Sequence, residues 1–196
     1  MDKLGYSYKK KVYSYQEARP EERQEFFKKL RKYRKQDIVY IDESGIESGI
    51  APKKAWGKKG KALQDKKSGK FYLRTNIIAG LCNAEVYAPY IYNHTSNTES
   101  FNKWLQEGLL PKLKAGQVVV MDNASFHKSQ KTIDHIHEAG CEVLFLPAYS
   151  PDLNPIEKFW ANLKTWLRSH IRLFESLTLA LENFFSYHSS FTDCGF

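Results

Sequence analysis

The sequence predicts an α/β fold, a mixed sheet in which three antiparallel strands are followed by parallel ones, with helices on its faces. Three observations lead to it. The runs "DIVYIDESGI", "FYLRTNIIAGLC" and "AEVYAPYIY" follow one another with no helix between them, as in an antiparallel meander. Beyond them strand and helix patterns alternate, which implies parallel pairing through helical crossovers. The run "QVVVMDNAS" is continuously apolar up to its aspartate, the mark of a strand covered on both faces.

Each element has a local cause. Residues 1–18 are basic and tyrosine-rich with no clear period. "RPEERQEFFKKLRKYRK" reads as a helix: Pro20 suits a first turn, acids come early and bases late, and Phe26, Phe27, Leu30 and Tyr33 share a face. Gly45 ends the first strand, and "SGIESGI" is turn punctuation. "APKKAWGKKGKALQDKKSGK" is a basic hairpin or loop before the second strand. "NTESFNKWLQEGLLPKL" is a helix capped by Asn97 or Thr98, with Phe101, Trp104, Leu105 and Leu109 on one side. "KSQKTIDHIHEAG" is a helix ending at Gly140, and "CEVLFLP" is a second buried strand. "PIEKFWANLKTWLRSH" is a helix with Pro155 at its first position, and a last helix covers about residues 174–188.

The 196 residues suffice for one core. No apolar run is long enough to span a membrane, and the N-terminus lacks an apolar signal region. Cys82, Cys141 and Cys194 stand far apart without a CxxC pair, so a reducing cytoplasmic compartment is expected, with neither a disulfide framework nor a zinc site. The net charge of +8 is unevenly placed. Residues 1–37 carry a local +6 and residues 53–70 a local +7, which leaves the rest mildly acidic. Clustered lysines gain affinity for polyanions by releasing counterions, so nucleic acid is the expected partner, although solvated surface lysines read the same way. A boundary is expected at residue 37, between a basic N-terminal segment with one helix and a catalytic domain over residues 38–196.

Asp42 and Asp122 close two apolar strands, and sites in open α/β sheets form outside the carboxyl ends of strands. Two close carboxylates repel unless a proton or cation lies between them, and an oxygen-only cluster suits Mg²⁺ or Mn²⁺. Either aspartate alone could equally be a turn former. Glu43 competes with Asp42, but alternation puts the two on opposite faces, and Asp42 shares a side with Ile38 and Tyr40.

A third acid follows "LPAYSPDLNPIEKFW". Pro147, Pro151 and Pro155 stiffen the approach to a helix whose second residue is Glu157. Ile156, Phe159, Trp160, Leu163, Trp166 and Leu167 form its buried face. Glu157 lies at the edge of that face, with Lys164 and Arg168 within about 20° of it around the axis. The stripe of carboxylate, Lys and Arg suits a nucleic-acid backbone. A first-turn acid that only offsets the helix dipole, and solvated cations beyond it, are the plainer alternative. Three carboxylates in a basic protein suggest two-metal phosphoryl transfer, one ion activating a water or 3′-hydroxyl and the other stabilising the leaving oxygen.

Together "YIDESGI", "VVMDNASFHKS" and "LPAYSPDLNPIEKFWANLK" resemble the catalytic domain of mariner-related bacterial insertion-sequence transposases, which are DDE enzymes with a ribonuclease H-like fold. The resemblance runs from about Asp37 to Arg168, and more loosely into the helix at 20–35. The 34 residues between Asp122 and Glu157 are similar to the mariner group's DD34E spacing. The resemblance implies that Asp42, Asp122 and Glu157 are catalytic and hold two Mg²⁺ or Mn²⁺ ions, and it selects Asp42 over Glu43. It further implies cleavage at element ends, transfer of the 3′-OH into target DNA at TA, and self-association in a dimer or higher assembly. Bacterial cytoplasm, at the nucleoid, is the place it implies.

Asn123 and His127 match the family pattern as supporting residues that orient a ligand or contact DNA; a capping Asn and a packed His fit as well. Lys164, Arg168, Lys53, Lys54, Lys58 and Lys59 are the expected DNA contacts, with Trp56 stacking on a base or simply packing its hairpin. Family members carry helix-turn-helix modules ahead of this domain. "DKLGYSYKKKVYSY" resembles the tail of one, so a frameshift-joined second reading frame, a truncated copy or a fragment is expected. Two other functions share these features: a ribonuclease H or junction resolvase on the same fold, and a non-catalytic DNA-binding remnant.

Overall fold

A computed structural model describes residues 17–47, 50, 58–61 and 74–187. Five strands form one sheet: β1 (Ile38–Glu47), β2 (Arg74–Cys82), β3 (Glu85–Tyr92), β4 (Val118–Met121) and β5 (Glu142–Phe145). Their order is β3-β2-β1-β4-β5. β1 pairs antiparallel with β2, and β2 with β3, while β1–β4 and β4–β5 are parallel. This is the expected meander followed by parallel crossovers.

β4 is buried along its whole length, as its unbroken apolar run requires. β5 corrects the sequence reading. It is an edge strand paired only to β4, and its residues are exposed or half-buried. A short apolar run does not by itself tell an edge from a centre.

The helices are α1 (Pro20–Leu30), α2 (Thr98–Trp104), α3 (Gln130–Glu138), α4 (Ile156–His170) and α5 (Leu177–Tyr187). Asn97 caps α2: its side chain accepts the Ser100 N–H at 2.8 Å while the Ser100 hydroxyl accepts the Asn97 N–H at 3.2 Å. The helix then widens into a π-type turn over Leu105–Leu109 and stops in a tight turn around Pro111. α3 ends before Gly140, whose φ of +74° suits glycine. All six expected apolar residues of α4 are buried.

The sheet is covered on both faces. Alternation along β1 sends Val39 and Ile41 into a core with Phe101, Trp104 and Leu105 of the α2 region and Ile136 of α3. On the opposite face, α4 and α5 pack on Ile46, Ile77 and Ala79. α1 covers Ile38, Val118 and Val120 of that face through Phe26. Phe27 departs from expectation: it is 39% exposed while Phe26 is 4% exposed. Consecutive helical residues differ by about 100°, so only one of the pair reaches the core. Among the described residues, no helix is long and apolar enough to cross a membrane.

Phe26→Ala is expected to destabilise the protein by about 3 kcal/mol or more through a core cavity, whereas Phe27→Ala should change stability by less than about 0.5 kcal/mol. Denaturant titration of both variants checks this, and equal losses would contradict the packing of α1.

Candidate active site

The sheet register brings the two aspartates together. Ile38 stands beside Val118 and Tyr40 beside Val120 in the parallel pair of β1 and β4. Two residues further along each chain lie Asp42 and Asp122. Parallel neighbours are about 4.8 Å apart, so the register carries the two residues to the same end of adjacent strands. They line a cleft of about 400 Å³ with Glu157, Asn154 and the 146–151 turn.

Glu157 reaches this cleft from α4, and the preceding turn is pinned at several points. The Asn123 side-chain amide donates to the Leu146 carbonyl, tying the end of β4 to the end of β5. Buried Asn154 donates to the Ile41 carbonyl at 3.4 Å, next to Asp42, and its own amide oxygen accepts the Ile156 N–H at 3.4 Å. Asn154 therefore clips the start of α4 to β1. Pro155 sits one position before the first helical residue, with φ −61° already in the helical range. Arg23 of α1 grips Asp152 with two hydrogen bonds of 2.9 and 2.7 Å. Within the turn, Tyr149 holds φ +54°, an uncommon backbone state for a residue with a side chain.

The two aspartates have opposite electrostatic surroundings. Burial, then the nearby Glu157 and Glu43 charges, push the Asp42 carboxyl up to about 7. The Trp160 indole N–H donates to Asp42 Oδ2 at 3.0 Å and only partly offsets this. Asp122 is held below the ordinary carboxylate range by its hydrogen bond from His127. The His127 ring is fully buried, with Nδ1 2.6 Å from Asp122 Oδ1 and Nε2 3.2 Å from Glu43 Oε1. Burial alone would depress the imidazole, but these two carboxylates raise it to about 9. Expected as supporting residues, Asn123 and His127 thus brace the carbonyl of Leu146 and the carboxylate of Asp122.

A divalent cation fits this donor set. Among the described residues, no three His, Cys, Asp or Glu side chains are already drawn together as a metal site would draw them. The three carboxylates nevertheless share one cleft, offer only oxygen, and leave Asp42 short of a positive neighbour.

Lys164 and Arg168 continue from Glu157 along α4 as expected. Burial pulls the Lys164 ammonium below its ordinary value, against the attraction of Glu157 and Asp42. Arg74 also acts on Lys164, and its guanidinium crosses β1 at Gly45, where a side chain would collide with it. Lys58 and Lys59 are exposed. Lys53, Lys54 and Trp56 lie outside the described residues. Sequence reasoning missed the Trp160, Asn154, Arg23 and Glu43 contacts. Each joins residues more than eighty positions apart, beyond any local periodicity.

Comparison with known proteins adds three findings. The family model described as DDE superfamily endonuclease matches residues 37–178. Among solved structures, the Mos1 Strand Transfer Complex superposes with a TM-score of 0.71 at 20% identity, covering 98% of this chain and 63% of that one. The Mos1 mariner paired end complexes with Mn and with Mg each give a TM-score of 0.69 at 19% identity, with 98% and 64% covered. The catalytic domain of Mos1 mariner transposase gives 0.58 at 18% identity, with 93% and 89% covered. At such identities the likeness is one of fold, the ribonuclease H-like fold with its mixed five-stranded sheet. The chain spans about 63% of the length of the first Mos1 chains it matches. No curated protein sequence matches it.

Because the folded Asp42 carboxyl titrates near 7, well above its ordinary value, its contribution favours the fold below about pH 4 and is lost as pH rises through about 7. Cation uptake at pH 6 should accordingly release a proton and tighten as pH rises towards 8. Calorimetry of Mn²⁺ binding in buffers of different ionisation enthalpy measures that release. Heats at pH 6 that do not depend on the buffer would contradict it.

Proposed function

Since the chain belongs to the DDE superfamily of endonucleases, we propose that it acts as a transposase catalytic domain, cutting DNA at element ends and transferring the freed 3′-OH into target DNA. The observation that carries this reading is the convergence of Asp42, Asp122 and Glu157, from β1, the end of β4 and the start of α4, on one cleft. These three carboxylates hold Mg²⁺ or Mn²⁺, two ions in this reading, and the metals named for the Mos1 complexes support that choice. When bound, the ions activate the attacking oxygen and offset charge on the leaving one.

The chain's own residues supply position and charge. His127 turns Asp122, Trp160 holds Asp42, and the clipped turn delivers Glu157. Lys164 and Arg168 receive the phosphate backbone beside the scissile bond. The lysines at 53, 54, 58 and 59, with Trp56, contact flanking DNA. The nucleophile is water in the cutting step and the 3′-OH in the joining step. In each, one phosphorus–oxygen bond forms as the opposite one breaks, so the phosphodiester count is kept in transfer. A bacterial insertion sequence as source, TA as target and paired ends held by an assembly of chains complete the reading. The Mos1 paired-end complexes support the last of these.

With Mg²⁺ or Mn²⁺ the purified chain should nick supercoiled plasmid and join a 3′-OH oligonucleotide duplex to it. Neither product with either metal would contradict the proposal, and preferential cutting of an RNA–DNA hybrid without joining would favour a ribonuclease H instead. Asp122→Asn should lower both products by about a thousandfold or more, roughly the 4 kcal/mol that loss of such charge stabilisation removes, with an unchanged circular dichroism spectrum. Pro155→Gly should slow cleavage about tenfold by loosening the turn; full activity would make the turn's stiffness incidental.

A further inference from the structure

Glu43 lost the competition with Asp42 in the sequence, yet it is not idle. It points to the opposite face of β1, towards α2 and α3, and its side chain is only 18% exposed. Its Oε1 lies 3.2 Å from His127 Nε2. The other ring nitrogen lies 2.6 Å from Asp122 Oδ1. Phe101 and Phe126 hold the imidazole between them, with ring centroids at 4.5 and 4.3 Å. The ring therefore cannot swing without breaking an aromatic cage and two polar contacts.

An ionised carboxylate only accepts hydrogen bonds. With a carboxylate oxygen at each end, the ring donates at both nitrogens and bridges Glu43 on β1 to Asp122 after β4. Asp122 Oδ1 also accepts the Ala124 N–H at 2.8 Å. Two donors thus occupy Oδ1, and among the described residues none donates to Oδ2. The side chain of Asp122 remains 48% exposed and lines the cleft.

We propose that Glu43 is a positioning residue for metal binding: anchored on β1, it fixes the His127 ring, which holds Asp122 by Oδ1 and so presents Oδ2 to the cleft as the single ligand oxygen. The inference rests on Asp122 being a metal ligand, the reading argued above. Glu43 itself touches neither metal nor DNA. Partners that orient a ligating carboxylate set its affinity for the ion, and losing one typically weakens metal binding about 10- to 100-fold.

The test is Mn²⁺ affinity, read by the loss of the free Mn²⁺ paramagnetic resonance signal on titration with the full chain, in the absence of DNA. Glu43→Ala should weaken binding about tenfold or more while the melting profile stays cooperative. Glu43→Gln keeps an acceptor oxygen for the ring and should recover most of that loss. Should Glu43→Ala not fold, Glu43→Asp gives the same test, since its shorter side chain withdraws the acceptor and is expected to bind between the wild type and the loss predicted for alanine. Affinity equal to wild type in Glu43→Ala or Glu43→Asp would overturn the proposal, because a merely structural role leaves the folded site intact. A Glu43→Gln variant as weak as Glu43→Ala would overturn it too, since Glu43 would then act through its charge or as a ligand. Failure of the reading beneath it looks different: the wild type itself would then bind no Mn²⁺, and both would fall together.

Discussion

Carboxylates at the ends of adjacent parallel strands repel one another, and burial strengthens the repulsion. The sheet imposes this arrangement, because the β1–β4 register leads straight to Asp42 and Asp122. The surroundings answer unequally. Asp122 receives a doubly bonded imidazolium. Asp42 receives an indole N–H, and burial together with the Glu157 and Glu43 charges raises its affinity for a proton. The cleft as folded is short of positive charge at Asp42, which a divalent cation is suited to supply.

Glu157 presents a different problem, for it alone of the three acids is not carried by the sheet. Its place depends on where α4 begins. The six buried apolar residues fix the rotation of α4 on the sheet, and Asn154 fixes its starting point against β1. Asn123 and Arg23 brace the two sides of the proline turn. Reaction rates in such sites respond to displacements of about an ångström, so these contacts, remote from any substrate, bear on chemistry through geometry. The three prolines narrow the choices of the turn, and the side-chain amides select among them.

Local signals were legible and long-range ones were not. The unbroken apolar run of β4 and the 3.6-residue period of α4 act over a few residues, and both elements formed as read, whereas the helix read from Asn97 through Leu113 is capped by Asn97 as offered but is α-helical only to Trp104. The antiparallel meander and the parallel crossovers followed from element order. β5 was misread because periodicity does not say which strand ends the sheet. Phe27 was placed on a face too wide for a helix of this kind. At the site, strand alternation rightly separated Asp42 from Glu43. It could not show that His127, eighty-four positions from Glu43, would join that face to Asp122. Trp160 was legible as a core residue, but its indole N–H reaching Asp42 was not. A side chain's polar tip finds its partner only once the fold is assembled.

The central claim is that Asp42, Asp122 and Glu157 converge on a shared cation. A crystal of the protein grown with Mn²⁺, with diffraction data collected at the manganese absorption edge, tests it most directly. The account predicts anomalous density in the cleft, within about 2.0–2.3 Å of oxygens from all three carboxylates, a range bracketed by hard divalent ions. A saturated crystal with no anomalous density there, or with density bound by Glu43 in place of Asp42, would contradict it.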